Sequence, residues 1–304
     1  MANQTGHDDS NRMSNEYRFI RYEIDPDGLA TITFDRPEQM NALLWPMMEE
    51  MKAALKRAER DPAAKVIILK GAGRCFSVGY DLQETPPEKV GPGVGPADGT
   101  HEPRGVPEYG RGVWNSRAHV QGHIEYERTI WELWKPVIAQ VHGYALAGAS
   151  TVALACDLTM MADDARIGYP PSRWLAPGDN VGIYCFVAGL KKSKEMMFGR
   201  IFSGKEAAKI GMINYSFPAE RLEDETRAIA RRIATIPSEL LMLNKSVCNR
   251  VWEMIGIKTG MEMAGEFDSL AHLADTARPM REAIEKHGSL SAALKELNKP
   301  WGGV

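Results

Sequence analysis

The chain has 304 residues, of which 44% are hydrophobic and 25% charged, and its formal net charge is −3. This composition is typical of a globular domain with a large core, and the small net charge excludes an electrostatic case for a nucleic-acid partner. No segment approaches the roughly 18 apolar residues of a membrane span, so we predict no membrane binding. The polar N-terminus does not resemble a signal peptide, and we therefore predict a cytoplasmic protein whose residues 1–14 form a disordered leader.

Four cysteines are scattered along the chain, at Cys75, Cys156, Cys185 and Cys248. Their spacing matches neither a zinc site nor a disulfide framework. We predict reduced thiols and no metal site.

The first third of the chain alternates strand and helix patterns. An apolar, β-branched run predicts a strand over residues 29–34, and apolar residues at helical spacing predict a helix that opens near Pro46. A second strand is predicted near Val66. Residues 85–112 then hold six Pro and seven Gly, which predicts a long loop that is either a lid over a ligand pocket or a surface excursion.

The segment from Lys135 to Asp157 predicts a buried strand over residues 137–141, a turn of small residues and the start of a helix. A ligand can approach the backbone of such a turn closely. The first N–H groups of a helix are unpaired and carry the positive end of the helix dipole, so they stabilise a developing negative charge. The segment therefore predicts an oxyanion site.

A helical pattern dominates the chain from about Lys191, and we predict no strand after Phe217. We divide the chain into a core over residues 15–200, which includes the 85–112 loop, and a mainly helical region over residues 201–304.

Three segments together resemble the crotonase, or enoyl-CoA hydratase/isomerase, superfamily. They are Phe34-Asp-Arg-Pro-Glu-Gln-Met-Asn-Ala-Leu43, the stretch from Val66 to Leu82, and Lys135-Pro-Val-Ile-Ala-Gln-Val-His-Gly-Tyr-Ala-Leu-Ala-Gly148. The resemblance implies an α/β fold, a crotonase-like ββα superhelix whose C-terminal helical region forms a homotrimer or a dimer of trimers. It also implies an acyl-CoA substrate, with coenzyme A as part of the thioester and no separate cofactor.

The resemblance also assigns backbone groups to the site. It implies that the N–H groups of Tyr80 and Gly148 bind the thioester oxygen. It places the nucleotide part of coenzyme A along Val78 to Leu82, with the adenine near the backbone of Asp81 and Leu82.

The two glutamates of the family's hydratases are absent. Their positions hold Thr151 and Pro171, and neither side chain exchanges a proton near neutral pH. We assign both to substrate binding. Tyr169 and Arg173 are also predicted to line the pocket, with Arg173 either gripping a second carboxylate on the acyl group or forming a structural salt bridge.

Asp179 is the candidate for the missing chemistry because it is the only carboxylate between Gly168 and Leu190. Its place resembles that of the nucleophilic aspartate in 4-chlorobenzoyl-CoA dehalogenase, and His123 falls close to that enzyme's histidine base. The alternative is that Asp179 caps a helix beginning near Val181.

Three functions remain open. The leading hypothesis is an enoyl-CoA hydratase/isomerase-type lyase that stabilises a thioester enolate and uses Asp179 with a histidine in place of the glutamates. The second is a thioester hydrolase or dehalogenase-like enzyme in which Asp179 attacks or activates water. The third is a catalytically silent acyl-CoA binder.

Overall fold

The computed structural model describes residues 17–82 and 113–302. The predicted leader and the Pro/Gly-rich loop at residues 85–112 lie outside these ranges. Within them, no helix combines the length and the apolar character that crossing a membrane requires.

Nine strands are present in the described residues, and they form two sheets. They are β1 Ile20–Ile24, β2 Leu29–Phe34, β3 Val66–Gly71, β4 Val137–Val141, β5 Tyr144–Leu146, β6 Leu158–Ala162, β7 Arg166–Gly168, β8 Ile201–Ser203 and β9 Tyr215–Phe217. The larger sheet has the order β1-β2-β3-β4-β6-β9, in which only β1 runs antiparallel to its neighbour. The smaller sheet has the order β5-β7-β8.

The central strands are covered on both faces. Every residue of β2 and of β4 is buried, which is why these segments read as continuous apolar or β-branched runs rather than alternating ones. The predictions of strands over residues 29–34 and 137–141 are confirmed.

Eleven α-helices pack around the sheets in the described ranges. They are α1 Trp45–Arg60, α2 Val113–Glu132, α3 Gly148–Ala155, α4 Gly182–Val187, α5 Gly189–Met197, α6 Gly204–Lys209, α7 Leu222–Ala234, α8 Ser238–Ile255, α9 Ile257–Leu273, α10 Arg278–His287 and α11 Leu290–Leu297. Helix α1 begins one residue before Pro46, as predicted, and it buries one apolar face against the sheet.

The chain beyond residue 200 contributes one strand to each sheet. Strand β8 belongs to the smaller sheet and β9 to the larger one. After Phe217 the described residues form helices and turns without a further strand, as predicted. The proposed division of the chain at residue 200 stays a prediction.

Helix α9 packs closely against the start of α4 and against α2. A Cβ atom on Gly182 would stand 2.1 Å from the carbonyl oxygen of Gly260, and one on Gly265 would stand 2.5 Å from the side chain of Ile124 on α2. Only glycine permits such approaches. Helix α9 therefore fixes the position of α2 relative to the start of α4 and to the loop before it, residues 174–181, which we call the α4 entry loop.

Candidate active site

Two loops meet at the carboxyl ends of β3 and β5. The N–H of Ser77 donates to the carbonyl of Tyr144 at 2.9 Å, and the N–H of Leu146 donates back to the carbonyl of Ser77 at 3.2 Å. A Cβ atom on Gly79 would stand 2.6 Å from that of Ala147, so the two backbones touch. This contact brings Tyr80 next to the start of α3.

The turn before α3 leaves the first N–H of that helix, at Gly148, without a partner in the described residues. Ala147 has a φ of 51°, a value that is uncommon outside glycine and concentrates at functional turns. Its own N–H donates to the carbonyl of Gly168 at 3.0 Å, which holds the turn. Within the described residues, the peptide N–H groups of Tyr80 and Gly148 face no hydrogen-bond acceptor. Both predicted oxyanion donors are thus available for a ligand.

The side chain of Tyr80 lies directly over Gly148. A Cβ atom on Gly148 would stand 2.5 Å from the phenol ring, so the ring needs glycine at this position. The phenol ring of Tyr80 also stacks on the imidazole of His123, on α2. The two ring centroids are 4.1 Å apart, and the ring planes are inclined by 16°. Trp45 also stacks on His123, at 4.6 Å and 21°. The imidazole is therefore clamped between aromatic rings.

The side chains of His123 and Asp179 are in direct contact. Nδ1 of His123 lies 2.7 Å from Oδ2 of Asp179, whose side chain is 3% exposed. The alternative reading of Asp179 as a helix cap is wrong, because α4 begins at Gly182, its N-cap is Val181, and no side chain caps it. The carboxylate turns inward to the histidine instead.

Glu127 is the residue that sequence reasoning missed. It lies one helical turn after His123 on α2, is completely buried, and accepts a hydrogen bond of 2.8 Å from the hydroxyl of Thr151. Burial and the negative charge of Asp179 raise its pKa to about 8. The four-residue spacing from His123 placed both side chains on one helix face, and this was the signal available in the sequence.

A third carboxylate supports the loop that carries Asp179. Oδ1 of Asp268, on α9, accepts the N–H of Gly178 at 2.9 Å. Gly178 has a φ of 97°, and a Cβ atom there would stand 2.3 Å from the ring of Tyr169, so both the backbone and the space require glycine. Burial and the charge of Asp179 raise the pKa of Asp268 to about 7.

Two carboxylate oxygens of this cluster have no donor among the described residues: Oε2 of Glu127 and Oδ1 of Asp179. Buried polar atoms are normally paired, and an unpaired one is expensive. These oxygens therefore mark a place where a proton, a water molecule or a substrate group is expected.

Three tyrosines complete the wall of the cluster. Burial, and then nearby carboxylates, raise the pKa values of Tyr80, Tyr169 and Tyr184. The hydroxyl of Tyr184 is 2.6 Å from that of Ser150, in the first turn of α3. All three phenols therefore remain neutral hydrogen-bonding groups at physiological pH.

The residues predicted to bind the nucleotide part have structural partners. Asp81 forms an ion pair of 3.1 Å with Arg36, and the N–H of Val78 donates to the carbonyl of Met40 at 3.3 Å. Leu82 packs against the buried cluster that contains Trp174. Their role toward coenzyme A stays a prediction.

Pro171 and Arg173 lie in one short 3-10 turn, Pro170–Arg173. Pro171 is buried, and its carbonyl accepts three backbone N–H groups from residues 174–176. Arg173 directs its guanidinium to the carbonyl of Gly199 and to Asn298, 2.7 Å away, under the ring of Trp301. The structure thus ties Arg173 to the C-terminal segment, and its predicted contact with substrate stays untested.

Other titratable groups near the site are structural. Burial raises the pKa of the Cys75 thiol to about 11, so no thiolate nucleophile forms there at neutral pH. His142 places Nε2 2.9 Å from the carbonyl of Gly73 and ties two turns together. In residues 17–82 and 113–302, no cluster of three or more His, Cys, Asp or Glu side chains is arranged to hold a metal ion.

The sequence matches a family model and several known proteins. The model is that of the enoyl-CoA hydratase/isomerase family, over residues 25–92 and 115–287. A protein of Mycobacterium tuberculosis named as an enoyl-CoA hydratase, EchA13, is 33% identical in an alignment of 275 positions that covers 86% of this chain and 83% of that protein. Hydroxycinnamoyl-CoA hydratase-lyase of Pseudomonas fluorescens is 31% identical in an alignment of 227 positions that covers 71% of this chain and 73% of that enzyme.

Solved structures confirm the predicted fold. An enoyl-CoA hydratase from Mycobacterium smegmatis superposes with a TM-score of 0.82 at 27% identity, covering 94% of each chain. An enoyl-CoA hydratase/isomerase from Xanthobacter autotrophicus Py2 gives 0.81 at 31% identity, over 93% of this chain and 98% of that one. The α/β crotonase fold with C-terminal helices accounts for the order of strands described above.

Proposed function

Since the chain belongs to the enoyl-CoA hydratase/isomerase family, we propose that it adds water to an enoyl-CoA thioester with Asp179 and His123 in place of the usual pair of glutamates. The observation that carries this proposal is the 2.7 Å contact between His123 and Asp179, beside the ring that covers Gly148. A buried carboxylate held by an imidazole next to two unpaired N–H groups is equipped for proton transfer.

The oxyanion donors supply the electrostatic part of the reaction. The thioester oxygen accepts hydrogen bonds from the N–H groups of Tyr80 and Gly148, and these strengthen as the enolate forms. Removing one such donor typically costs about 3 kcal/mol of transition-state stabilisation. Because the donors belong to the backbone, they persist although the family's acidic side chains are absent.

Asp179 acts as the base toward water. Its Oδ2 is fixed by His123, which leaves Oδ1 free to accept the proton of the attacking water. The water oxygen bonds to Cβ of the substrate, and the electrons of the double bond move to the thioester oxygen. His123 keeps Asp179 oriented because the rings of Trp45 and Tyr80 prevent the imidazole from turning.

A panel of thioesters tests this proposal. One relative is a hydroxycinnamoyl-CoA hydratase-lyase, so the panel includes crotonyl-CoA, cinnamoyl-CoA and 4-hydroxycinnamoyl-CoA. We expect hydration of at least one ester, and slower hydration of crotonyl-CoA than by an ordinary two-glutamate hydratase. Failure to hydrate any ester, together with binding of all of them, would support the silent binder instead.

One observation favours a second function. Asp179 combines a histidine-held oxygen with an oxygen that lacks a donor in the described residues, which is also the arrangement of a carboxylate nucleophile. In a hydrolase, Oδ1 would attack the thioester carbon and expel the CoA thiolate, or it would attack a halogen-bearing aryl carbon and expel halide. Water would then hydrolyse the covalent intermediate on Asp179 and release the product. A single turnover in heavy-oxygen water separates the two, because only the nucleophilic route places label in the Asp179 carboxylate.

We also propose that the chain assembles as a homotrimer or as a dimer of trimers. Helices α8 and α9 each expose an apolar stripe. The stripe on α8 consists of Leu240, Leu243, Val247, Val251 and Met254, and the stripe on α9 consists of Met263, Phe267 and Leu270. Large exposed apolar patches mark interaction sites. Light scattering should show a trimer or hexamer that Leu243→Glu dissociates, whereas Leu190→Glu, on α5 with similar exposure, should leave it intact.

A further inference from the structure

We propose that Glu127 is the proton donor of this site and delivers a proton to Cα of the substrate from helix α2. This inference rests on the proposed hydration reaction and adds the acid that Asp179 and His123 do not provide. It is carried by the position, the burial and the hydrogen bonding of a carboxyl group that no local motif marks.

Glu127 contacts α3 at Thr151, one helical turn after the oxyanion donor Gly148. Its Oε1 lies 2.8 Å from the hydroxyl of Thr151, and Thr151 follows Gly148 by three residues in the first turn of α3. A carboxyl group in this place faces the carbon next to the thioester carbonyl when that carbonyl binds the N–H of Gly148. Thr151 occupies the chain position that lost its acid, and Glu127 brings a carboxyl group to the same point in space.

Carboxyl and phenol groups surround Glu127. The side chain is fully buried, and Oε2 has no donor among the described residues. Titratable groups face it from three neighbouring elements and from its own helix; they are Asp179, Tyr80, Tyr169, Tyr184 and Tyr126. Burial and the charge of Asp179 favour the neutral form of Glu127, and they outweigh the hydrogen bond from Thr151 and the amide of Asn180, which favour the charged form.

The hydroxyl of Thr151 links Glu127 to α3. It lies 2.8 Å from the carboxylate of Glu127 and also 2.8 Å from the carbonyl oxygen of Gly148. A hydroxyl has one proton and can donate to only one of these acceptors at a time. Donation to Oε1 of Glu127 lowers the pKa of that carboxyl group and partly offsets the effects of burial and of Asp179.

The proton balance of hydration closes with this assignment. Asp179 removes one proton from water as the water oxygen bonds to Cβ, and the resulting enolate is held by the two N–H groups. Glu127 transfers its proton to Cα, and the electrons return from the thioester oxygen to re-form the carbonyl. The proton on Asp179 then passes through water to the Glu127 carboxylate, which restores both groups. The two carboxyl groups need opposite protonation states for this sequence of steps.

Glu127→Gln tests the role directly, with Glu125→Gln as its control. Glu125 lies on the same helix but faces Lys52 at the protein surface, 2.6 Å away. The assay follows hydration of whichever of the three enoyl-CoA esters named above the wild type turns over fastest. We expect Glu127→Gln to lower kcat by at least about a hundredfold with little change in KM, and Glu125→Gln to keep wild-type kcat.

The pH profile separates proton donation from a structural role. Glu127 must be protonated to act, so wild-type kcat should fall as the pH rises through its pKa, near 8. The hydrogen bond from Thr151 lowers that pKa, so Thr151→Val should move this alkaline limb to higher pH without abolishing turnover. Because this variant leaves Glu127 in place, it also tests the proposal if Glu127→Gln folds poorly.

Three outcomes are informative. Near-wild-type turnover in Glu127→Gln, or an alkaline limb that stays unchanged in Thr151→Val, overturns the assignment of Glu127. If Asp179→Asn, assayed in parallel, also retains full activity, the proposed reaction itself fails. Loss of activity in Asp179→Asn alone leaves the reaction in place and removes only Glu127 as its acid.

Discussion

The two halves of the candidate site are built on different principles. The oxyanion half consists of backbone N–H groups at Tyr80 and Gly148, positioned by two short loops that bond to each other. The acidic half consists of side chains from α2, the α4 entry loop and α9, which are distant in sequence. Backbone donors tolerate changes of side chain, whereas a carboxylate is lost with one substitution.

This difference explains how the site can keep one half while changing the other. The helix start at Gly148 needs only small residues and a turn that exposes its first N–H. The carboxyl group can come from any element that reaches the same point, and here α2 brings Glu127 to Thr151. Under the proposed function, the place where charge develops belongs to the backbone, and α2 supplies the acid.

The acidic half should show the largest single effect. Asp179→Asn keeps the shape and the hydrogen bond to His123 but removes the ionisable group, so we expect turnover to fall by at least about a hundredfold. Steady-state hydration kinetics measure this, with Asp164→Asn, an exposed aspartate, as the control. Near-wild-type activity would mean that the acidic half carries no chemistry and that the oxyanion half works alone.

The backbone structure of the oxyanion half was predictable because its determinants are local, whereas its role toward a thioester stays a prediction. The strand over residues 137–141 and the small-residue turn before Gly148 are contiguous, and both were predicted at the correct place. The acidic half depends on which helix faces pack together, and periodicity does not reveal the partner of a face. Glu127 was therefore missed. Asp179 and His123 were paired through the family resemblance, and periodicity alone does not predict the contact of 2.7 Å between them.

The oxyanion half can be tested with a ligand rather than a substitution, since its donors are peptide groups. An S-alkyl-CoA thioether has no carbonyl oxygen, so it loses two hydrogen bonds that a matched acyl-CoA thioester makes. At about 0.5–1.5 kcal/mol for each bond, we expect binding weaker by about tenfold or more. Calorimetric titration of butyl-CoA against butanoyl-CoA measures this, and equal affinities would show that Tyr80 and Gly148 do not hold the carbonyl.

Asp268 links the acidic half to α9, and its effect should be intermediate. Asp268→Ala removes the acceptor of the Gly178 N–H and loosens the loop that carries Asp179, so we expect kcat to fall by up to about tenfold. Asp268→Asn retains an acceptor oxygen and should recover most of that loss. If the two variants have the same kcat, the hydrogen bond does not position Asp179.

The smallest effect expected is on stability, and it concerns the acidic half alone. In an unfolded chain both Glu127 and Asp268 titrate near pH 4, whereas burial and the charge of Asp179 raise their folded-state pKa values to about 8 and about 7. Between these limits the folded protein binds more protons than the unfolded chain. The free energy of unfolding therefore falls as the pH rises through this interval.

We expect the melting temperature of the wild type to drop by a few degrees from about pH 5 to about pH 8 at constant ionic strength. Glu127→Gln, which cannot ionise, should show a smaller drop, and Glu239→Gln, an exposed control on α8, should follow the wild type. Scanning fluorimetry across this range measures both slopes. A Glu127→Gln slope equal to that of the wild type would show that Glu127 is ionised in the folded protein, and the acidic half would then hold two like charges instead of an acid and a base.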